Sequence, residues 1–275
     1  MGNMVKYILS GLLLLLVGAI TPLSAQLIRD ENLSRFDDRW LHFGFYLGVN
    51  AMDYRFAHYG DVRNNKPVFD QNPALVEEAE KYYNGVYSYR AEVYPLKPGF
   101  NVGGVVNLRV NSVIDFRCTP GMMLGSRQFK FTKNIEDVIS DPEIGGKLYS
   151  NFGRYMTTPS AYIDFPVGFR YKGFRSGNLR PYIYGGAAYR RDLESKRISE
   201  SVVHLKRNGY YAEVAFGLDT YFPFFRLSTE FKFSYGLNNI IKHDTDLTAE
   251  NPPPYYGYVM DKLNSNIFSL IFYFE

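Results

Sequence analysis

Side chains that could do chemistry are few in this sequence, and their spacing does not let them cooperate. The histidines are His42, His58, His204 and His243, and none lies at a spacing that brings it to a serine and a carboxylate for nucleophilic or acid-base work. No GxSxG elbow, HExxH, phosphate loop or paired-carboxylate motif occurs. Cys118 is the single cysteine, which excludes an internal disulfide and every metal site built on cysteine pairs. Asn134 with Glu136 and Asp137 reads as a capped helix start rather than a calcium loop. The residues that do form a pattern are charged. Arg109, Asp115, Arg117, Asp164, Arg170, Lys172, Glu213, Asp219, Arg226, Glu230 and Lys232 alternate with apolar residues in separate segments. The chemistry open to a near-balanced set of this kind is mutual pairing, provided the elements carrying it face one space.

Those elements have a period of two. In Trp40 to Asn50, Leu41, Phe43, Phe45, Leu47 and Val49 fall on one face and His42, Gly44, Tyr46, Gly48 and Asn50 on the other. The same alternation runs through Phe100–Val110, Asp115–Gly125, Ile163–Lys172, Tyr182–Arg190, Tyr211–Phe222, Phe225–Leu237 and Phe268–Phe274. Pro166 weakens the fourth of these, since proline cannot donate to a ladder. Eight strands, an even number, predict an antiparallel meander able to close without a free edge.

The spacing between strands supports closure in a membrane. Three connections are short, near Asn111 to Ile114, Gly173 to Asn178 and Pro223-Phe224; four are long, near 51–99, 127–158, 192–209 and 238–262. Short turns at one end and long loops at the other, in alternation, are the plan of an outer-membrane barrel. The rival is a soluble barrel with its apolar face inward. The polar face decides against it, because it carries Gly44, Gly48, Gly103, Gly121, Gly168, Gly186, Gly217 and Gly236 and charges of both signs, which suit a crowded interior. The apolar face has almost no charge, as hydrocarbon requires. Trp40, Tyr171, Tyr189, Phe222 and Phe225 stand where interfacial aromatics are expected. Cys118 falls on the lipid face.

The start of the chain reads as a targeting segment. Lys6, a run of apolar residues from Tyr7 to Ile20 and Leu23-Ser24-Ala25 before Gln26 have the form of a signal peptide cleaved near Ala25, the alternative being an uncleaved anchor. Thirty-one basic against 28 acidic residues give +3, too even for a nucleic-acid surface. In the first long loop, Asn72-Pro73-Ala74 followed by Glu77, Glu78 and Glu80 predicts a short helix, and Pro252 to Tyr258 a stiff aromatic segment. An eight-stranded barrel is only wide enough for side chains, so a general porin is disfavoured, and Tyr46, Tyr182 and Tyr184 join the charges as filling.

Several of these segments are more particular than a generic barrel pattern. Leu41 to Asn50 (LHFGFYLGVN), Arg180 to Gly186 (RPYIYGG), the stretch from Gly217-Leu218-Asp219 through Phe231 to Asn239 (FKFSYGLNN), and the final Phe272 to Glu275 (FYFE) resemble the PorT family of Bacteroidetes. The resemblance covers nearly the whole mature chain. It implies an outer-membrane barrel of the type IX (Por) secretion system, which exports proteins bearing a C-terminal sorting domain to the cell surface. It brings no catalytic or ligand residues with it.

The expectation is therefore an all-β protein: an eight-stranded antiparallel up-and-down transmembrane β-barrel with long outer loops and short periplasmic turns. Residues 1–25 are the signal peptide, 26–39 an N-terminal periplasmic segment and 40–275 the barrel in the outer membrane. Arg109, Asp115, Arg117, Asp164, Arg170, Glu213, Asp219, Arg226, Glu230 and Lys232 form a structural charge network in the lumen. No catalytic residue, cofactor, metal, nucleic acid or small-molecule substrate is expected; the partners are outer-membrane lipid and other subunits of a secretion machine. The alternative is a stand-alone small barrel for adhesion or envelope integrity.

Overall fold

Alternation of aromatic and β-branched residues with small and polar ones gives strands with two unlike faces, and in this chain the strands curl until the last meets the first. The computed structural model describes residues 32–58, 89–93, 97–133, 155–193, 205–241 and 260–275. A short 3-10 turn at Phe36–Asp38 precedes ten strands: β1 (Leu41–His58), β2 (Tyr89–Val93), β3 (Pro98–Arg109), β4 (Ile114–Cys118), β5 (Gly121–Lys133), β6 (Tyr155–Lys172), β7 (Leu179–Asp192), β8 (Asn208–Tyr221), β9 (Arg226–Gly236) and β10 (Met260–Phe274). All pairings are antiparallel. β1 pairs with β10 on one side, Phe45 opposite Phe274, and with β3 on the other, Leu41 opposite Leu108, so the sheet is a closed ring. Where β1 pairs with β3 and β10, no edge is left to recruit another strand; β2 pairs with β5 alone among the described residues.

The ten strands make eight staves. β2 continues β3, since both pair with β5, and β4 and β5 are one stave interrupted at Thr119-Pro120. The interruption has a local cause. Pro120 lacks an N–H, and Pro166 of β6, which faces Thr119, lacks one too, so the pairing of this stave with β6 loses donors at the break. Two bonds bridge the gap: the Thr119 amide donates to the Pro166 carbonyl (3.1 Å) and the Gly104 amide to the Pro120 carbonyl (2.9 Å).

The faces follow the expected phase. Phe43, Phe169 and Val214 point out, at 76%, 59% and 59% exposure, while Arg117 and Glu230 on the opposite phase are at 1% and 0%. The strands run further than the alternation predicts, because beyond about Ala51 its sign inverts. Met52 and Tyr54 face inward and Asp53 and Arg55 outward; on β10, Leu263 and Ile267 face inward and Lys262 and Asn264 outward. The apolar belt on β1 thus spans Leu41 to Val49, about the 9 to 11 residues a tilted strand needs to cross hydrocarbon. Above it the barrel projects into water with a soluble protein's pattern, around a small core of Met52, Met123, Tyr162, Ala188, Tyr211 and Ile267.

Residues 110–113, 173–178 and 222–225 turn at one end, which is the periplasmic end in barrels of this class. Asn111 closes the first by accepting the Val113 and Ile114 amides on its Oδ1 (2.9 and 2.7 Å), and Gly177 supplies a left-handed φ of 59° in the second. The long connections leave from the other end. The signal segment, the helix expected near 72–82, the cap at Asn134 and the 252–258 stretch lie outside the described residues. Among the described residues no helix is long and apolar enough to cross a membrane.

Candidate functional site: the charged lumen and its N-terminal closure

Inward positions of the staves bring charges from distant parts of the sequence into tiers. Nearest the short turns, Lys172 binds Asp115 (2.7 Å), Arg170 binds Asp219, which also accepts the Ser228 hydroxyl (2.6 Å), and Arg226 binds Glu275. In the middle tier Glu230 is the hub. It accepts Arg117 Nη1 (2.8 Å) and the hydroxyls of Tyr182 and Tyr273 (3.0 Å each), with Lys232 Nζ at 3.4 Å. Asn107 links the tiers, accepting Arg117 Nε on Oδ1 (2.8 Å) and donating to Glu275. Above, Arg190 pairs with Glu213 (2.5 Å) and Asp164 (2.9 Å), and Lys232 reaches Glu213 at 3.5 Å. In the outermost tier Arg127 binds hydroxyls, those of Tyr54 (2.9 Å), Tyr162 (2.7 Å), Ser160 (3.0 Å) and Ser265 (2.8 Å).

Tyrosine rings fill the space between the ions, and the guanidinium planes lie over them. Arg170 sits 4.0 Å from the Tyr182 ring centroid, Arg190 4.3 Å from Tyr211 and Arg117 4.5 Å from Tyr273. This explains Gly103, Gly121, Gly168, Gly186 and Gly217, where a Cβ would meet a tyrosine side chain. Tyr182 lies across Gly217, its partner in the β7–β8 ladder, so any Cβ there would occupy the ring's place. A charge taken out of water costs several kcal/mol, which attraction repays only with good geometry and further hydrogen bonds. Glu230 has both, with two tyrosine hydroxyls beside its cations, whereas Arg170 Nε and Nη1 and Arg190 Nη1 are buried without a hydrogen-bond partner among the described residues.

Of the residues expected in the network, Asp115, Arg117, Asp164, Arg170, Glu213, Asp219, Arg226, Glu230 and Lys232 all lie in this interior and contact one another or other interior charges. Arg109 does not join them. It is the last residue of β3, at the rim, and its guanidinium meets Asp38 of the N-terminal segment (3.2 Å) with both side chains partly in water. Lys172, grouped with the pairing charges by its alternation, also lies in the interior, and Arg190, Arg127 and Glu275 join the network without having been expected there. Arg190 sits on the inward phase and belongs with them on that ground. Glu275 follows the outward Phe274, so the alternation itself turns it inward. Arg127 was read as the start of a loop because the stave continues past the apolar belt. His42 faces inward and is stacked on Phe36, with ring centroids 4.3 Å apart.

The N-terminal segment closes the short-turn end. Asn32 bonds the Asn178 side chain through its amide (2.9 Å) and the Tyr221 carbonyl through Nδ2 (3.1 Å), and Arg175 donates to the carbonyls of Asn32 and Leu33. Held there, Leu33 adopts a left-handed φ of 53°, which costs a residue with a Cβ about 1–2 kcal/mol. Phe36 then enters the mouth beneath Arg226, 4.8 Å from the ring centroid. Asp37 accepts from Tyr221 (2.7 Å) and Arg180 (3.0 Å), with Arg226 at 3.5 Å. Burial pushes the Asp37 carboxyl up, but the Tyr221 hydrogen bond and the charges of Arg226 and Arg180 outweigh it and hold it below the usual 3.8. Among the described residues no group of three or more histidine, cysteine or acidic side chains is placed to hold a metal ion.

A closed antiparallel ring with an apolar belt, short turns at one end and a filled, ion-paired interior defines an integral outer-membrane β-barrel. Residues 25–242 match the outer membrane protein beta-barrel domain family, and the chain belongs to that family. No curated protein matches the sequence. Among solved structures it is similar to Ail, the attachment invasion locus protein of Yersinia pestis, determined with the heparin analogue sucrose octasulfate. The two are 9% identical, the match covers 85% of this chain and 97% of that chain, and the TM-score is 0.35.

Proposed function

We propose that this barrel is a non-enzymatic, non-conducting accessory of type IX secretion, supporting export of sorting-domain proteins by binding other subunits of the machine. The observation that carries the reading is the filled lumen: among the described residues Arg117, Glu230, Lys232, Tyr182 and Tyr273 meet across its middle, which favours work at the two ends over passage of a solute. The resemblance of the β1, β7, β8–β9 and β10 segments to the PorT family supports the choice of machine. The interior charges are structural on this reading, each spent on a partner within the barrel.

A clean deletion in the native organism, with a complemented strain, tests it. Sorting-domain proteins should accumulate in the periplasm and fall at the cell surface. Normal surface export would overturn the secretion role and leave a stand-alone barrel for adhesion or envelope integrity.

A further inference from the structure

The periplasmic mouth converges three guanidiniums on one small segment. Arg175, Arg180 and Arg226 come from the β6–β7 turn, β7 and β9, and all three meet Asn32–Asp38. The segment is bound chiefly by side chains. Its exposed face carries Ser34, Arg35 and Asp38, and Leu33 is held in a conformation that release would relax. Without it, Arg180 would keep only the carbonyls of Gly173 (2.8 Å) and Ser112 (3.1 Å), the Tyr221 hydroxyl would lose its acceptor, and a cationic, aromatic-floored cup would face the periplasm. A cup of that composition takes a carboxylate beside an aromatic ring, and Phe36-Asp37 is such a pair.

We propose that residues 32–38 are an exchangeable strap: Asp37 and Phe36 occupy in cis a receptor formed by Arg180, Arg226 and Tyr221, and an acidic, aromatic-bearing segment of a periplasmic partner protein takes the same receptor when the strap leaves. Tethering makes the strap a strong competitor, since a short linker holds it at an effective concentration of order millimolar. A partner engages only where it displaces the strap or finds it already displaced, which makes the contact conditional. The proposal rests on the accessory reading only in placing the partner in the periplasm.

The test uses the full mature chain in nanodiscs, with Asp37→Lys to expel the strap and a labelled nonapeptide of residues 32–40 as probe. Hydrogen exchange reports on the strap through the amides of Phe36, Asp38 and Arg39, which are bonded to Leu33, Arg35 and Phe36 carbonyls. In the variant these amides should lose protection. The peptide should bind the variant at least about tenfold more tightly than the wild type, a peptide with Asp37→Asn should not bind, and adding Arg180→Gln should abolish capture. If Asp37→Lys prevents folding, Phe36→Ser with Asp37→Asn serves in its place. Persistent protection after either change would overturn the carboxylate as the anchor. Exchange with no peptide binding, or equal binding of the two peptides, would overturn the receptor. None of these readouts involves secretion, so their failure is separate from that of the deletion experiment.

Discussion

Glu230 shows what holds the interior together. It is fully buried and neutralises Arg117 and, with Glu213, Lys232 while accepting two tyrosine hydroxyls, so Glu230→Gln keeps the volume but leaves Arg117 without its counter-charge and Lys232 with Glu213 alone. The expected loss is about 3–5 kcal/mol of unfolding stability, read from urea titration of the refolded barrel in lipid. Removing the ion pair as a unit, Arg117→Met with Glu230→Leu, should be milder than the single change, because no unpaired ion remains from that pair. A double variant as damaged as the sum of the singles would show that the two residues are not coupled. Gly217→Ala makes the complementary point about space. Its Cβ would displace the Tyr182 ring and with it a bond to Glu230, for an expected cost of about 1–3 kcal/mol in the same titration.

At the scale of elements, the strap offers a pH test with a definite sign. Asp37 titrates lower when docked than its usual 3.8, so its carboxylate stabilises docking at every pH above about 3.8 and that contribution is lost as pH falls through the lower, docked value. Trp40, the single tryptophan, stands at the strap's end with its carbonyl accepting the Arg109 amide (2.9 Å). Its fluorescence should therefore stay flat from pH 8 to about pH 5 and change only below about 3.8, and Asp37→Asn should remove that acid transition. A transition near neutral pH would contradict the arrangement. The staves themselves were largely legible in the sequence, since lipid and lumen impose opposite chemistry on alternate residues of Leu41–Val49 or Phe225–Leu237. Cys118 follows from the same phase: it is outward on β4 and should resist a water-soluble maleimide in intact membranes. The parts that were not legible have physical reasons. Past Ala51 the outer face meets water, the pattern inverts, and Met52, Tyr54 and Arg127 read as loop. The strap's docking depends on single side chains reaching across the mouth, for which no periodicity exists, so Asp37 and the rim role of Arg109 were invisible until the ring was closed.

On the scale of the whole molecule, closure and filling are one fact. Eight staves leave a bore only wide enough for side chains, and the sequence uses inward glycines so that tyrosines can lie across it and arginines can lie on the tyrosines. The result is a stack of ion-paired tiers from Asp115–Lys172 to Arg190–Glu213, with Phe36 and Asp37 below. Such a stack closes the bore at two levels, by the tiers that the staves carry and by the strap docked below them on Arg226. In planar bilayers the purified barrel should therefore pass no stepwise ionic current, and Asp37→Lys, which frees the strap, should not create one, because the tiers above it still span the bore. Stepwise conductance in the wild type would show that the tiers are not packed as described. Conductance appearing only in the strap variant would make the strap the principal seal and turn an exchangeable contact into a gate.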